Sequence, residues 1–293
     1  MAVLDKGVWY PDKEVGDLAG EDSFSLPKER EAGRYHLYVS LACPFAHRPY
    51  LVINYLGLQH AISVSSVAAK RGENGWLFDS RFADIVGNTG KLADLYLKAY
   101  AAYSGRVSVP VLWDKKHGSI AGNDSSKLAW DIARNWLALA KNPVELLPSS
   151  LESDILSMNN WLHKQVNRKV YHVGFATDQQ TYDAASMAFF DALEILELRL
   201  EHSRYLFADQ ITLSDFFLLP TLVRMEAVYE IHFKANLKPL RELPNLYRYM
   251  LDLTGIGSIR RTIDIEHMKT HYYFSHRHIN PTGIIPRGPR INW

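Results

Sequence analysis

Tyr35-His-Leu-Tyr-Val-Ser-Leu-Ala-Cys-Pro-Phe-Ala-His-Arg48 decides how this chain is read. Tyr35 to Val39 is rich in aromatic and β-branched residues, which predicts a strand ending at Ser40. From Pro44 to Leu56 the apolar spacing suits a helix that stops at Gly57, with a proline at the first helical position where no N–H partner is needed. Cys43 is then the N-cap of that helix. Ala61 to Val67 reads as a second strand. The order strand, helix, strand predicts a right-handed βαβ unit with the cysteine at the carboxyl end of its first strand.

A thiol at the first turn of a helix meets unpaired N–H groups and the positive end of the helix dipole, and both favour thiolate over thiol. The expectation is a lowered thiol pKa and a nucleophile. The same position is also open to a small, buried, inert hydrophobe. His47 and Arg48 lie four and five residues further on, where they either add positive potential or serve packing and solvent. Ala46 occupies the place where a second cysteine would complete C-x-x-C, so a mixed disulfide at Cys43 needs an external thiol to resolve it. Glutathione is the abundant cytosolic one.

Outward from this unit, residues 68 to 103 form a long insertion with a short helical pattern over Lys91 to Tyr100. Val107 to Trp113 is β-rich but interrupted by Pro110, which demands either an edge strand or a cis X-Pro bond. Turn residues follow in His117 to Asp124, and Ser125 to Leu137 reads as an amphipathic helix, completing β-α-β…β-β-α. Pro143 and Pro148 mark a boundary within Lys141 to Ser150. Beyond it the pattern is helical, with Leu151 to Val166, Gln179 to Leu200 and Thr212 to Tyr229 as the clearest segments and Thr212 and Asp215 spaced as a capping box. The expected organisation is an N-terminal extension (1–33), an α/β domain (34–140), an all-α domain (150–270) and an aromatic, Pro- and Gly-rich tail (271–293) laid over the body.

Composition bounds the function. The chain has 293 residues, 47% hydrophobic and 22% charged, and a net charge of +1 with basic residues spread along it. That is enough for two cores and offers no electrostatic footprint for nucleic acid or an anionic membrane. Met1 to Asp22 has no apolar core segment and no run of eighteen apolar residues occurs, so neither secretion nor membrane spanning is expected and the location is read as cytoplasmic. One cysteine excludes an intramolecular disulfide and any multi-thiolate metal site, and no metal is expected. H-E-x-x-H, the P-loop pattern and G-x-G-x-x-G are absent.

Tyr38 to Arg48 closely resembles the active-site segment of the glutathionyl-hydroquinone reductases, the Xi class of glutathione transferases, which are omega-like. Gly72 to Asp79, Tyr103 to Asp114, Val173 to Ala176, Val228 to Asn236 and His271 to Pro289 resemble the same family, so the likeness runs from about residue 34 to 289. It implies a thioredoxin-like domain followed by a helical bundle, a homodimer, and glutathione as co-substrate. It further implies that Pro110 is a cis proline presenting the backbone of Val109 to the glutathione peptide. Trp76 and Arg106 would hold the glycyl end, and Asp124 and Ser125 would receive the γ-glutamyl group, which helix-terminal N–H groups suit. Phe45, Tyr171, Tyr229 and Tyr272 would form the acceptor pocket for an aromatic quinol conjugate, although tyrosines on helices also serve packing with a wet tip.

The implied reaction is reduction of a glutathionyl-hydroquinone by Cys43 through a glutathione mixed disulfide, with a second glutathione leaving as oxidised glutathione. The sequence departs from the family pattern at Phe45, where tryptophan is usual, at Asp124, where glutamate is usual, and at Ala68-Ala69-Lys70-Arg71. Two other readings stay open: an omega-like thioltransferase or dehydroascorbate reductase, and a glutathione-binding protein without turnover.

Overall fold

In the computed structural model, which describes residues 3–11 and 24–293, the chain divides into two compact units, Met1–Pro143 and Val144–Trp293. The reading of Met1 to Asp22 as free of a leader falls largely outside the described residues.

The first unit opens with a hairpin, β1 (Val3–Asp5) and β2 (Val8–Tyr10), turned through Lys6 and Gly7 at φ 48° and 80°. It continues through β3 (Tyr35–Val39), α1 (Pro44–Tyr55), β4 (Ile62–Ser66), α2 (Leu92–Ala99), β5 (Gly105–Arg106), β6 (Val111–Asp114), β7 (Ser119–Ile120) and α3 (Ser125–Asn135). The main sheet runs β4-β3-β6-β7, with β3 parallel to β4 and antiparallel to β6. Every residue of β3 is buried, as a central strand covered on both faces requires. Helix α1 sets Leu51, Val52 and Ile53 into the core, each contributing about 1.5–3 kcal/mol of burial. Gly57, at φ +67°, ends it where the sequence places the stop.

Two expectations for this unit change. Residues 3–10, read as part of an N-terminal extension, carry strands: β1 pairs with β2 on one side and β5 on the other, forming a second, three-stranded sheet. The strand expected over Val107 to Trp113 begins only at Val111, after the cis Val109–Pro110 bond, since proline has no N–H for the ladder.

The second unit holds α4 (Glu152–Leu162), α5 (Lys169–Gly174), α6 (Gln179–Arg199), α7 (Asp215–Arg224), α8 (Pro244–Thr254), α9 (Gly257–Arg260) and α10 (Ile265–Ser275). Two π-helical segments interrupt what the periodicity reads as continuous: His163–Asn167 after α4 and Met225–Tyr229 after α7. The capping-box pair closes the start of α7. Asp215, fully buried, accepts from the Thr212 and Leu206 amides at 2.7 and 3.1 Å and from the Tyr249 hydroxyl at 2.8 Å. The limit drawn at residue 271 falls inside α10, whose N-cap Asp264 accepts from the His267 amide. The aromatic run His271-Tyr-Tyr-Phe274 continues this helix, and the irregular tail starts after Ser275. Lys269 Nζ donates to the Arg287 carbonyl at 2.9 Å and Trp293 Nε1 to Glu226 at 2.6 Å, tying the tail to the helices of this unit.

Among the described residues no helix is long and apolar enough to cross a membrane.

At the far end of β6, Arg34 grips Asp114 with Nε at 2.9 Å and Nη2 at 2.6 Å, and both side chains are buried. The guanidinium, helped by His117 and two backbone amides, holds the Asp114 carboxyl well below the usual carboxylate range. A depressed carboxyl contributes stability that is full above its unfolded pKa, about 3.9, and is lost as pH falls below it. Wild-type stability in urea titrations should therefore drop below about pH 4, with a shallower slope over that window in Asp114→Asn; parallel slopes would show that the pair carries no pH-linked stability.

Candidate active site

The turn from β3 into α1 builds the site. Cys43 has extended backbone angles, φ −78° and ψ 117°, and its amide donates to the Ser40 carbonyl at 2.9 Å. Its carbonyl accepts the first helical bond, from the His47 amide at 3.1 Å. The half-buried sulfur accepts from the Ala46 amide at 3.4 Å, so the thiol does the work of an N-cap oxygen. Register supplies the neighbour. Tyr38 pairs with Val111, so the residues before Val111 run alongside Ser40 to Cys43, and Sγ lies 3.9 Å from the Val109 carbonyl.

Arg48 acquires a place that sequence spacing left open. It is 1% exposed, with Nη1 3.1 Å from Ser126 Oγ and 3.4 Å from Ser125 Oγ at the start of α3, and its guanidinium lies 5.0 Å from the Phe45 ring centroid. Burial pulls the guanidinium down to about 9, while the charges of Cys43 and Asp124 pull it back up. Coulomb coupling is mutual, so Arg48 favours the Cys43 thiolate in turn.

Asp124 is exposed and caps α3, its Oδ1 accepting from the Ser126 and Lys127 amides at 2.8 and 3.0 Å. Trp76 is buried beneath Arg71, whose guanidinium stands 5.3 Å from the indole centroid. Burial lowers the Arg71 pKa and Cys43 opposes that shift. Arg71 belongs to the stretch read from sequence only as a departure, and it is a second cation within electrostatic reach of the thiol. Arg106 sits exposed on β5, in the three-stranded sheet, with the Tyr103 hydroxyl on its carbonyl at 3.1 Å.

In the helical unit, Tyr171, Tyr229 and Tyr272 come together. The Tyr272 hydroxyl is 2.6 Å from that of Tyr171 and 3.1 Å from that of Tyr229, making a chain of phenols. Tyr272 is 1% exposed, and burial, reinforced by Tyr229, raises its pKa well above the ordinary phenol value. It therefore stays protonated and able to donate. Tyr229 ends the π-helical segment Met225–Tyr229 and Tyr171 lies one turn past the other such segment, and irregular helix of this kind often marks functional positions. Beside them His232 and His276 approach at 3.3 Å, and burial pulls His232 down to about 4, so it is neutral at physiological pH. Among the described residues no group of three or more His, Cys, Asp or Glu side chains is placed to hold a metal ion.

A thiol N-capping the helix after the first strand of a thioredoxin-like sheet, beside a cis proline and followed by a helical unit, defines a glutathione S-transferase. Residues 42–135 match the glutathione S-transferase N-terminal domain and residues 179–251 its C-terminal domain. The chain is 43% identical over 263 residues to the glutathionyl-hydroquinone reductase YqjG of Escherichia coli, covering 88% of this chain and 80% of that protein. A Xi-class transferase structure from Natrialba magadii superposes with a TM-score of 0.95 at 35% identity, covering 100% of this chain and 95% of the other. The glutathione-bound structure of E. coli YqjG gives 0.90 at 38% identity, covering 99% and 96%. The chain belongs to the glutathionyl-hydroquinone reductase family, the Xi class of glutathione transferases.

Replacing Arg48 by methionine removes a buried cation while keeping most of its volume. Alkylation of Cys43 by iodoacetamide at pH 6 should slow by about tenfold, as for a rise of one pKa unit. An unchanged rate against pH would mean that Arg48 is only a brace between α1 and α3.

Proposed function

We propose that this chain reduces glutathionyl-hydroquinones to hydroquinones at the expense of glutathione, with Cys43 as nucleophile. The observation that carries the reading is the seat of Cys43: a thiol accepting a helix N-terminal amide, beside the Val109 carbonyl at a cis proline, with Arg48 and Arg71 coupled to its charge. The glutathione-bound structure of a relative of the same fold supports glutathione as the co-substrate.

The Cys43 thiolate attacks the glutathione sulfur of the conjugate, forming a Cys43–glutathione disulfide as the carbon–sulfur bond breaks. The departing hydroquinone carbon takes a proton. A second glutathione thiolate attacks the mixed disulfide, oxidised glutathione leaves, and the Cys43 thiolate returns. The net change converts one conjugate and one glutathione to one hydroquinone and one oxidised glutathione, and it needs no metal.

The Val109 backbone pairs with the glutathione peptide beside Pro110. Trp76 and Arg106 hold the glycyl end. Asp124 and Ser125 take the γ-glutamyl group, its carboxylate at the N-terminus of α3 and its ammonium on Asp124. Tyr171, Tyr229 and Tyr272 bond the quinol oxygens, and Phe45 supplies an aromatic wall. The protein works as a cytoplasmic homodimer.

Hydroquinone release from a glutathionyl-hydroquinone with excess glutathione, run beside hydroxyethyl disulfide and dehydroascorbate, tests the reading. Preference for the conjugate, lost in Cys43→Ala, is the expected result. Preference for the other acceptors assigns the chain a thioltransferase role instead, and no turnover with any of them leaves a glutathione-binding protein.

A further inference from the structure

The three phenols meet on one ring that is not itself polar. Phe233, 1% exposed, stacks on Tyr229 at 5.2 Å between centroids and 9° between planes. It meets Tyr171 edge-on at 5.2 Å and 64°, and Tyr272 at 5.6 Å and 78°. It is parallel within 10° to the His276 ring at 5.9 Å. No hydrogen bond of the phenol chain involves Phe233, yet it touches every member of that chain.

Its seat is equally confined. A Cβ at Gly174, the last residue of α5, would lie 2.2 Å from Phe233 Cγ and 2.8 Å from its Cβ, distances that real side chains do not adopt. Glycine at 174 is thus the condition for Phe233 to sit where it does. Because α5 also carries Tyr171, the same close approach sets the distance between Tyr171 and the π-helical segment that ends at Tyr229.

We propose that Phe233, seated against Gly174, is a positioning residue for acceptor recognition: it fixes the spacing of the three phenol hydroxyls and so selects a rigid aromatic diol over a small flexible disulfide. Edge-to-face and stacked pairs prefer definite geometries, so one ring contacting three others restricts them together. A branched aliphatic side chain fills similar space without imposing those planes. The inference rests on the reading of the tyrosines as the acceptor pocket.

The test compares wild type, Phe233→Leu and Gly174→Ala. The first removes the ring plane; the second keeps the ring and displaces it. Two measurements are made on each: kcat/KM for a glutathionyl-hydroquinone relative to hydroxyethyl disulfide, and the ring resonances of Tyr171, Tyr229 and Tyr272 in protein labelled with ¹³C-tyrosine. The expected result is a fall of about tenfold in the acceptor ratio, carried mainly by KM for the conjugate, with all three tyrosine resonances displaced in whichever variants fold. Equal loss with both acceptors, or resonances that stay in place, overturns the proposal. If the wild type does not turn over the conjugate at all, the reductase reading fails separately, and the tyrosine resonances alone decide whether Phe233 positions the phenols.

Discussion

The chemistry of this chain depends on one local constraint: Cys43 must be both the end of a turn and the cap of a helix. The strand β3 is buried on both faces and leaves little freedom in where Ser40 lies, and the Cys43 amide bonds back to the Ser40 carbonyl. Pro44 then starts α1 with its backbone angle already set, and the Ala46 amide turns toward sulfur. Antiparallel register with β6 brings the Val109 carbonyl to the same atom. Three separate backbone requirements thus converge on one residue, two of them at its sulfur. A substitution there that keeps the cap, such as serine, would keep the fold while removing the soft nucleophile.

Around that sulfur charge coupling works against burial. Arg48 and Arg71 are cations whose charged forms burial disfavours, and each is drawn back by the charge on Cys43. In the helical unit burial likewise favours the neutral form, holding the Tyr272 phenol in its protonated, donating form. The first unit therefore favours an anion through these cations and the helix N-terminal amide, against the cost of desolvation, whereas in the second desolvation itself keeps the phenol neutral.

The segment from Tyr35 to Gly57 was legible in the sequence because everything that shapes it is local: β-branched and aromatic residues, a proline at the first helical position, a glycine at the stop. Pro110 was legible for the opposite reason, as a residue that does not belong in a strand, and the strand does begin after it. The hairpin at Val3–Tyr10 was missed because three-residue strands are decided by their partner, Gly105–Arg106, a hundred residues away. The π-helical segments at His163–Asn167 and Met225–Tyr229 leave the apolar spacing almost untouched, so the period runs through them unseen. The three tyrosines came from family resemblance, and their hydrogen-bonded chain adds the physical connection. Arg71 could have been noticed as a basic residue five positions before Trp76. Phe233 and Gly174 fall within stretches that carry the family resemblance, but their contact was not legible, since it is a close approach between segments far apart in the chain.

The most direct measurement of the central claim is a single turnover. Equimolar glutathionyl-hydroquinone is mixed with the protein in the absence of free glutathione, quenched in acid and analysed by intact mass and peptide mapping. The account requires one glutathionyl group on Cys43, formed together with free hydroquinone and removed when glutathione is added. Release of hydroquinone with Cys43 unmodified, or a modified Cys43 that glutathione does not clear, would contradict it.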